Sequence, residues 1–341
     1  MKSKDIYDLV QARYGELAGR SIFREHTAAE RSVAESFGYD PSELSSIPEA
    51  ANLGVSCGNP LALANLHEGE TVVDLGSGGG IDVLLAARKV GPKGMAIGVD
   101  MTKSMLDLAQ KNAEKAGASN ASFVEASITS IPLPTSTVNC IISNCVVNLV
   151  PSADKQQAFN EMFRLLVPGG RVAISDILIR KRLPEEIAKD LSLYVGCIAG
   201  ASQVHEYEEF LREAGFKDTM IVDTQKNLNV FKDMIQDHNT DSQESRCQSK
   251  TATCCDVSKP VGLTTGRLLG RDFNEWAGEL RSAPYYLHEA DNLHKVRFRF
   301  MQSDPRRSFP HGYIVRIVSE VHRKLRKDLR LKQSLTVANN S

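Results

Sequence analysis

The run Val72-Val73-Asp74-Leu75-Gly76-Ser77-Gly78-Gly79-Gly80 passes from a short apolar stretch into glycines, and then into the helical pattern Ile81-Asp82-Val83-Leu84-Leu85. An apolar run of this length bounded by glycines reads as a buried parallel strand. The glycines permit the positive φ and close backbone approach of a tight strand-to-helix turn. Backbone N–H groups and a helix N-terminus then face a crevice beyond the strand's carboxyl end, so the turn is expected to hold a cofactor. Dinucleotide spacing begun at Gly76 would need glycine or alanine at position 81, where Ile81 stands, and this weakens a nicotinamide reading. Asp100 closes the next strand roughly 20 residues on, where a carboxylate can accept both hydroxyls of a ribose. It can also cap the following helix, although Thr102 can serve that purpose.

Thiols form the second set of reactive groups. Cys57 lies in the turn-rich stretch Asn52–Pro60, Cys145 follows Ser143-Asn144 at the end of a strand, and Cys197 lies in Val195-Gly196-Cys197. Three thiolates from three segments would make a soft, three-coordinate site. Structural zinc usually takes four ligands in closely spaced pairs, and no C-x-x-C or H-x-x-x-H occurs in residues 1–235. Each cysteine alone also reads as a small buried hydrophobe, as does Cys140 in alternation with Val138 and Ile142.

Strands are expected at Thr71–Leu75, Met95–Asp100, Ala121–Glu125, Val138–Ser143, Arg171–Ile177 and Met220–Thr224. Helices are expected at Leu61–Leu66, Ile81–Val90, Thr102–Ala116, Ala153–Leu166 and Val204–Ala214. The alternation predicts an α/β fold with a doubly wound, mostly parallel seven-stranded sheet. Pro168-Gly169-Gly170 reads as the turn before the fifth strand, and Leu183–Ala199 as an added helical stretch. Apolar spacing in residues 4–37 gives helices that cover the crevice, with a short helix entered at Asp40-Pro41. The sheet and its helices fill residues 1–235. Residues 236–259 hold almost no large apolar side chains and read as a flexible linker carrying Cys254-Cys255. Residues 260–341 form a separate basic region, with a strand-like alternation at Val296–Met301 and an amphipathic helix at Ile314–Leu331. From residue 261 onward there are 15 Lys/Arg against 8 Asp/Glu, although the whole chain of 341 residues carries only −1.

The segment Asp74-x-Gly76-x-Gly78-x-Gly80 resembles the first motif of class I methyltransferases, and so implies S-adenosylmethionine as cofactor. That ligand offers an ammonium and a sulfonium to a carboxylate such as Asp74. The resemblance gives cofactor contacts to Asp74, Gly76, Gly78, Gly80, Asp100, Met101, Ser127, Ile128 and Asn144, with Ser127 and Ile128 at the adenine. Methyltransferases acting on amino groups of nucleic-acid bases carry Asn/Asp-Pro-Pro-aromatic where this chain has Asn144-Cys145-Val146-Val147, which argues against that use. The blocks around Cys57, Asp100-Met101-Thr102, Ser143–Pro151 with Asp154-Lys155-Gln156-Gln157, and Gly196–Ala201 look like the arsenite methyltransferases over roughly residues 5–235. That resemblance implies methyl transfer to As(III), supplied free or as its glutathione complex, with Cys57, Cys145 and Cys197 as arsenic ligands. Glutathione or thioredoxin would be the reductant.

Many members carry a further cysteine before the one matching Cys57, and residues 1–56 here have none. The alternatives are a small-molecule C- or O-methyltransferase on the same scaffold and a non-enzymatic thiol protein that binds metalloids. The longest apolar run, Val138–Val150, is interrupted by asparagines and too short to span a bilayer. The start lacks an apolar signal core, so the chain reads as cytoplasmic with mostly reduced thiols. A nucleic-acid partner is not expected, because a solvated face accounts for the basic helix.

Overall fold

The computed structural model describes residues 2–23, 28–224 and 313–320. Five strands, β1 (Thr71–Leu75), β2 (Met95–Asp100), β3 (Ala121–Glu125), β4 (Val138–Asn144) and β5 (Leu166–Leu178), lie parallel in the order β3-β2-β1-β4-β5. Asp74 pairs with Gly98 on one side and Ile142 on the other, and Asn144 pairs with Ser175. The carboxyl ends of β1, β2 and β4 therefore open onto one crevice, with the strand order reversing at β1/β4.

Successive residues of β1 serve opposite faces, as a pleated strand requires. Val73 and Leu75 join Phe159, Met162, Tyr207 and Leu211 from α7 (Lys155–Leu165) and α10 (Val204–Ala214). Val72 joins Leu84, Leu85 and Ala113 from α5 (Ile81–Val90) and α6 (Lys103–Ala116), together with Cys140 and Ile142 of β4. Cys140 thus takes the packing place its alternation predicts.

The N-terminal part is helical: α1 (Ser3–Phe23), α2 (Ala28–Ser36), α3 (Pro41–Ser45) and α4 (Leu61–Ala64). Asp40 caps α3 by accepting from the N–H groups of Ser42 and Glu43, with Pro41 at the first helical position. α4 is shorter than its apolar pattern because Asn65 turns left-handed at φ 45° and ends it. The stretch between β5 and α10 holds two short helices, α8 (Glu185–Ala188) and α9 (Leu191–Val195).

Two expectations change. β5 begins at Leu166, which pairs with Val138, and Pro168-Gly169-Gly170 forms an irregularity inside it before pairing resumes at Arg171. Gly169 supplies the positive φ that such a bulge needs. Residues 313–320, expected to begin a basic amphipathic helix in a separate region, instead form a strand, β7. It pairs antiparallel with β5 and with β6 (Asp218–Asp223). Ile314, Val315, Ile317 and Val318 are β-branched, and a pleated surface accommodates them better than a helix does. The linker with Cys254-Cys255, Val296–Met301 and the remainder of 321–341 lie outside the described residues.

Candidate active site

The glycines after β1 adopt φ values open to glycine and costly for other residues, +67° at Gly76 and +50° at Gly78. At Gly76 the fit also excludes a side chain, since an added Cβ would lie 2.3 Å from a methyl of Val146. The turn borders a cleft of about 740 Å3, counting its open mouth, lined by Gly76, Gly78, Asp100, Met101, Ser127, Ile128, Asn144 and Cys145. This size and its mainly apolar lining suit a cofactor or small ligand. Asp74 and Gly80 do not line it. Asp74 is buried beneath the turn, where burial and then the Asp82 and Asp100 charges push its carboxyl well above the usual range. Gly80 faces α6, its missing Cβ admitting Ala109.

Asp100 is held in the cleft from both sides. One oxygen accepts from Gly78 N at 3.0 Å and the other from Thr102 N at 2.8 Å. Burial pushes its pKa up, and these N–H groups oppose the shift. The carboxylate thus ties the glycine turn to the start of α6 while lining the cleft.

α1 closes the cleft from above with Tyr7, Val10 and Tyr14, and Gln11 donates to the Met101 carbonyl at 2.8 Å. A covering helix was legible from the apolar spacing of residues 4–37, but nothing in that spacing singled out the two tyrosines.

Three thiol-bearing segments meet beside the cleft, which Cys145 lines and Cys57 and Cys197 do not. Cys57 and Cys145 are joined as a disulfide across 88 residues, their Cα atoms 5.5 Å apart, where reduced thiols were expected. The Cys197 thiol donates to the Cys145 carbonyl at 2.8 Å. Cys57, Cys145 and Cys197 share one small apolar cluster with Val10, Leu149, Ile177 and Tyr194. Both Cys145 (φ 62°) and Cys197 (φ 64°) are left-handed, a conformation uncommon outside glycine and concentrated at functional sites. With Cys57 and Cys145 joined, no group of three His, Cys, Asp or Glu among the described residues is arranged to hold a metal ion.

Two asparagines hold the thiol loops. Asn144 accepts from Cys57 N at 3.0 Å and donates to the Gly58 carbonyl at 2.8 Å, clamping the Cys57 loop to the end of β4. It also donates to Tyr39 Oη at 2.8 Å and to Asp82 Oδ2 at 3.3 Å, and Tyr39 in turn donates to Asp82 Oδ1 at 2.8 Å. Burial pushes Asp82 up to about 6 against the pull of these hydrogen bonds. Asn148 donates to the carbonyls of Ile177 at 2.7 Å and Cys197 at 3.3 Å. Burial, then the Asp176 charge, push the Cys197 thiol far above the ordinary range, with Tyr14 and Lys155 opposing. Sequence reasoning missed Tyr39, Asp82 and Asn148 as supports; their one trace was the polarity of Asp82 and Asn148 within apolar runs.

Residues 66–215 match a family described as methyltransferase domain. The chain is 44% identical over 208 residues to the arsenite methyltransferase of Halobacterium salinarum, covering 61% of this chain and 53% of that one. It is 38% identical over 185 residues to that of Aquipseudomonas alcaligenes, covering 52% of each. To the human arsenite methyltransferase it is 31% identical over 226 residues, covering 63% of this chain and 59% of that one. A crystal structure of an arsenic(III) S-adenosylmethionine methyltransferase from Chlamydomonas reinhardtii is 31% identical, with a TM-score of 0.46 over 61% of this chain and 69% of that one. The chain spans just over half the length of the curated relatives it matches.

Proposed function

We propose that this chain, which resembles the curated arsenite methyltransferases over residues that include a methyltransferase domain, transfers a methyl group from S-adenosylmethionine to trivalent arsenic held by Cys57, Cys145 and Cys197. The observation that carries this reading is the meeting of these cysteines, from three separate segments, beside the cleft that Gly76, Gly78 and Asp100 border.

The cleft fits the cofactor. Asp100 would accept the ribose hydroxyls, Met101, Ser127 and Ile128 would flank the adenine, and the Gly76–Gly78 backbone would face the amino-acid portion. Bound there, the cofactor supplies an electrophilic methyl group on a sulfonium. This chain's own residues prepare the acceptor. Two electrons and two protons from a thiol reductant convert the Cys57–Cys145 disulfide into two thiols. Three thiols then displace three hydroxides of arsenous acid, their protons leaving in three molecules of water, and the product is a pyramidal arsenic with a lone pair. Directing that lone pair at the sulfonium carbon needs positioning and exclusion of water, with no general base. α1 and the apolar cluster around the cysteines supply the dry surroundings. Alkylation raises arsenic formally from III to V. Two thiolates restore As(III) by giving up two electrons and closing a disulfide, which external thiol reopens. Among the described residues no helix is long and apolar enough to cross a membrane.

The test is to incubate the reduced full chain with S-adenosylmethionine, arsenite and glutathione or thioredoxin, and to separate the arsenic species. Methylated arsenicals are expected, and Cys57→Ser, Cys145→Ser and Cys197→Ser should each abolish them. Turnover that survives all three substitutions would overturn the reading. The alternative is a small-molecule C- or O-methyltransferase on the same scaffold. Methylation of an aromatic acceptor with no arsenic product would favour that alternative.

A further inference from the structure

Resting on the three-thiol reading above, we propose that Lys155 is a positioning residue for the arsenic site, its buried ammonium fixing the loop that presents Cys197. Lys155 opens α7, ten residues along the chain from Cys145, and is only 2% exposed. Its Nζ donates to the Gly200 carbonyl at 2.5 Å and to Ser202 Oγ at 2.7 Å, holding the chain just beyond Cys197 at two points. Asn148 holds the same loop at the Cys197 carbonyl, and Ser202 O accepts from Ile179 N at 3.0 Å, tying the loop's far end to the residue that follows β5. At Gly200 the two supports meet, because an added Cβ would lie 2.1 Å from the Asn148 carbonyl oxygen.

The ammonium has an acidic counterpart. Asp176 on β5 is fully buried, accepts from Tyr207 Oη at 2.5 Å, and interacts electrostatically with Lys155. Burying such a pair is expensive, and well-packed apolar side chains usually stabilise a fold as well or better. What an ammonium provides here is directional donation to a backbone carbonyl and a hydroxyl, which an apolar side chain cannot give. Cys197 needs that hold. Its left-handed backbone (φ 64°) is a strained conformation that persists only where the surroundings over-determine it. Three-coordinate arsenic would be formed by the Cys57–Cys145 pair and a third sulfur, and Lys155 keeps that third sulfur in place before arsenic arrives.

The experiment uses the full chain in a background where Cys247, Cys254 and Cys255 are serine, reduced and loaded with arsenite. X-ray absorption counts the sulfurs on arsenic, and calorimetry gives the arsenite and S-adenosylmethionine affinities. With Lys155→Met, about three As–S bonds should fall to about two. Arsenite affinity should drop by about 10-fold or more, the usual cost of removing an outer-shell partner. S-adenosylmethionine affinity should stay within about twofold, because Lys155 does not line the cleft. A folded Lys155→Met chain that keeps three As–S bonds and wild-type arsenite affinity overturns the inference. Should Lys155→Met not fold, Ser202→Ala decides: weaker arsenite binding with unchanged cofactor binding supports the inference, and unchanged arsenite binding overturns it. Fewer than three As–S bonds in the unsubstituted background would instead remove the three-thiol reading on which this one stands.

Discussion

At the scale of the residue, the chain places its least replaceable groups where each serves more than one neighbour. Asn144 is the clearest example. It accepts from Cys57 N and donates to Gly58, Tyr39 and Asp82, so Asn144→Ala leaves several buried polar groups unsatisfied. A loss of about 2–4 kcal/mol of stability is expected, measurable by urea unfolding, together with weaker binding of both arsenite and cofactor, because Asn144 clamps the Cys57 loop and also lines the cleft. Asp82 predicts a pH dependence. Its folded pKa of about 6 lies above the roughly 4 of an unfolded aspartate. The folded chain therefore binds the proton more tightly, and the stability this residue contributes is present in full below pH ~4 and lost as pH rises towards 6. Asp82→Asn should flatten that part of the profile, and equal urea midpoint shifts between pH 4.5 and 6.5 in both proteins would contradict it. The groups that border the cleft, and the three cysteines that cluster beside it, were legible in the sequence: glycine spacing, a strand-end carboxylate and cysteines are written in residue types. The supports around them were not, because an asparagine or tyrosine declares a hydrogen bond only once its partners from distant segments are known.

Among the elements, β1, β2 and β4 and the helices α5 and α10 were readable almost to the residue, since short apolar runs and amphipathic spacing coincide with glycine boundaries. β5 and β7 were not. At β5, Pro168-Gly169-Gly170 carries a turn's composition, yet pairing with β4 on both sides absorbs it as a bulge. At 313–320 the basic residues around a β-branched run suggested a helical face, and the gap between β5 and β6 decided for a strand. The element that most directly governs access to the site is α1. Its Val10 is buried against the cluster holding the cysteines, so Val10→Asp should lift the helix from the cleft. Cofactor affinity should fall by at least about tenfold, the equivalent of roughly 1.4 kcal/mol, while the sheet stays folded by circular dichroism. The tight contact between the segment 147–149 and the Cys197 loop predicts that Gly200→Ala disturbs the loop without touching the glycine turn. Its signature would be normal cofactor binding with impaired arsenite binding.

For the molecule as a whole, the disulfide between Cys57 and Cys145 joins the loop before the sheet to the sheet's centre. A crosslink closing 88 residues restricts the unfolded chain by an amount worth about 4–5 kcal/mol in the loop-entropy account. Reduction should lower the melting temperature accordingly, and arsenite added to the reduced chain should raise it again by bridging the same segments. Calorimetric scans of oxidised, reduced and arsenite-loaded chain check this, and a loaded chain melting with the reduced one would refute it. Cys145 and Cys197 both occupy backbone geometry in which glycine would rest without strain. Foldability and reactivity therefore pull in opposite directions there: Cys197→Gly should be at least as stable as Cys197→Ser and equally inert. Glycine would relieve the backbone at either position, so the cost of the left-handed geometry is carried only for the side chain that the two positions hold.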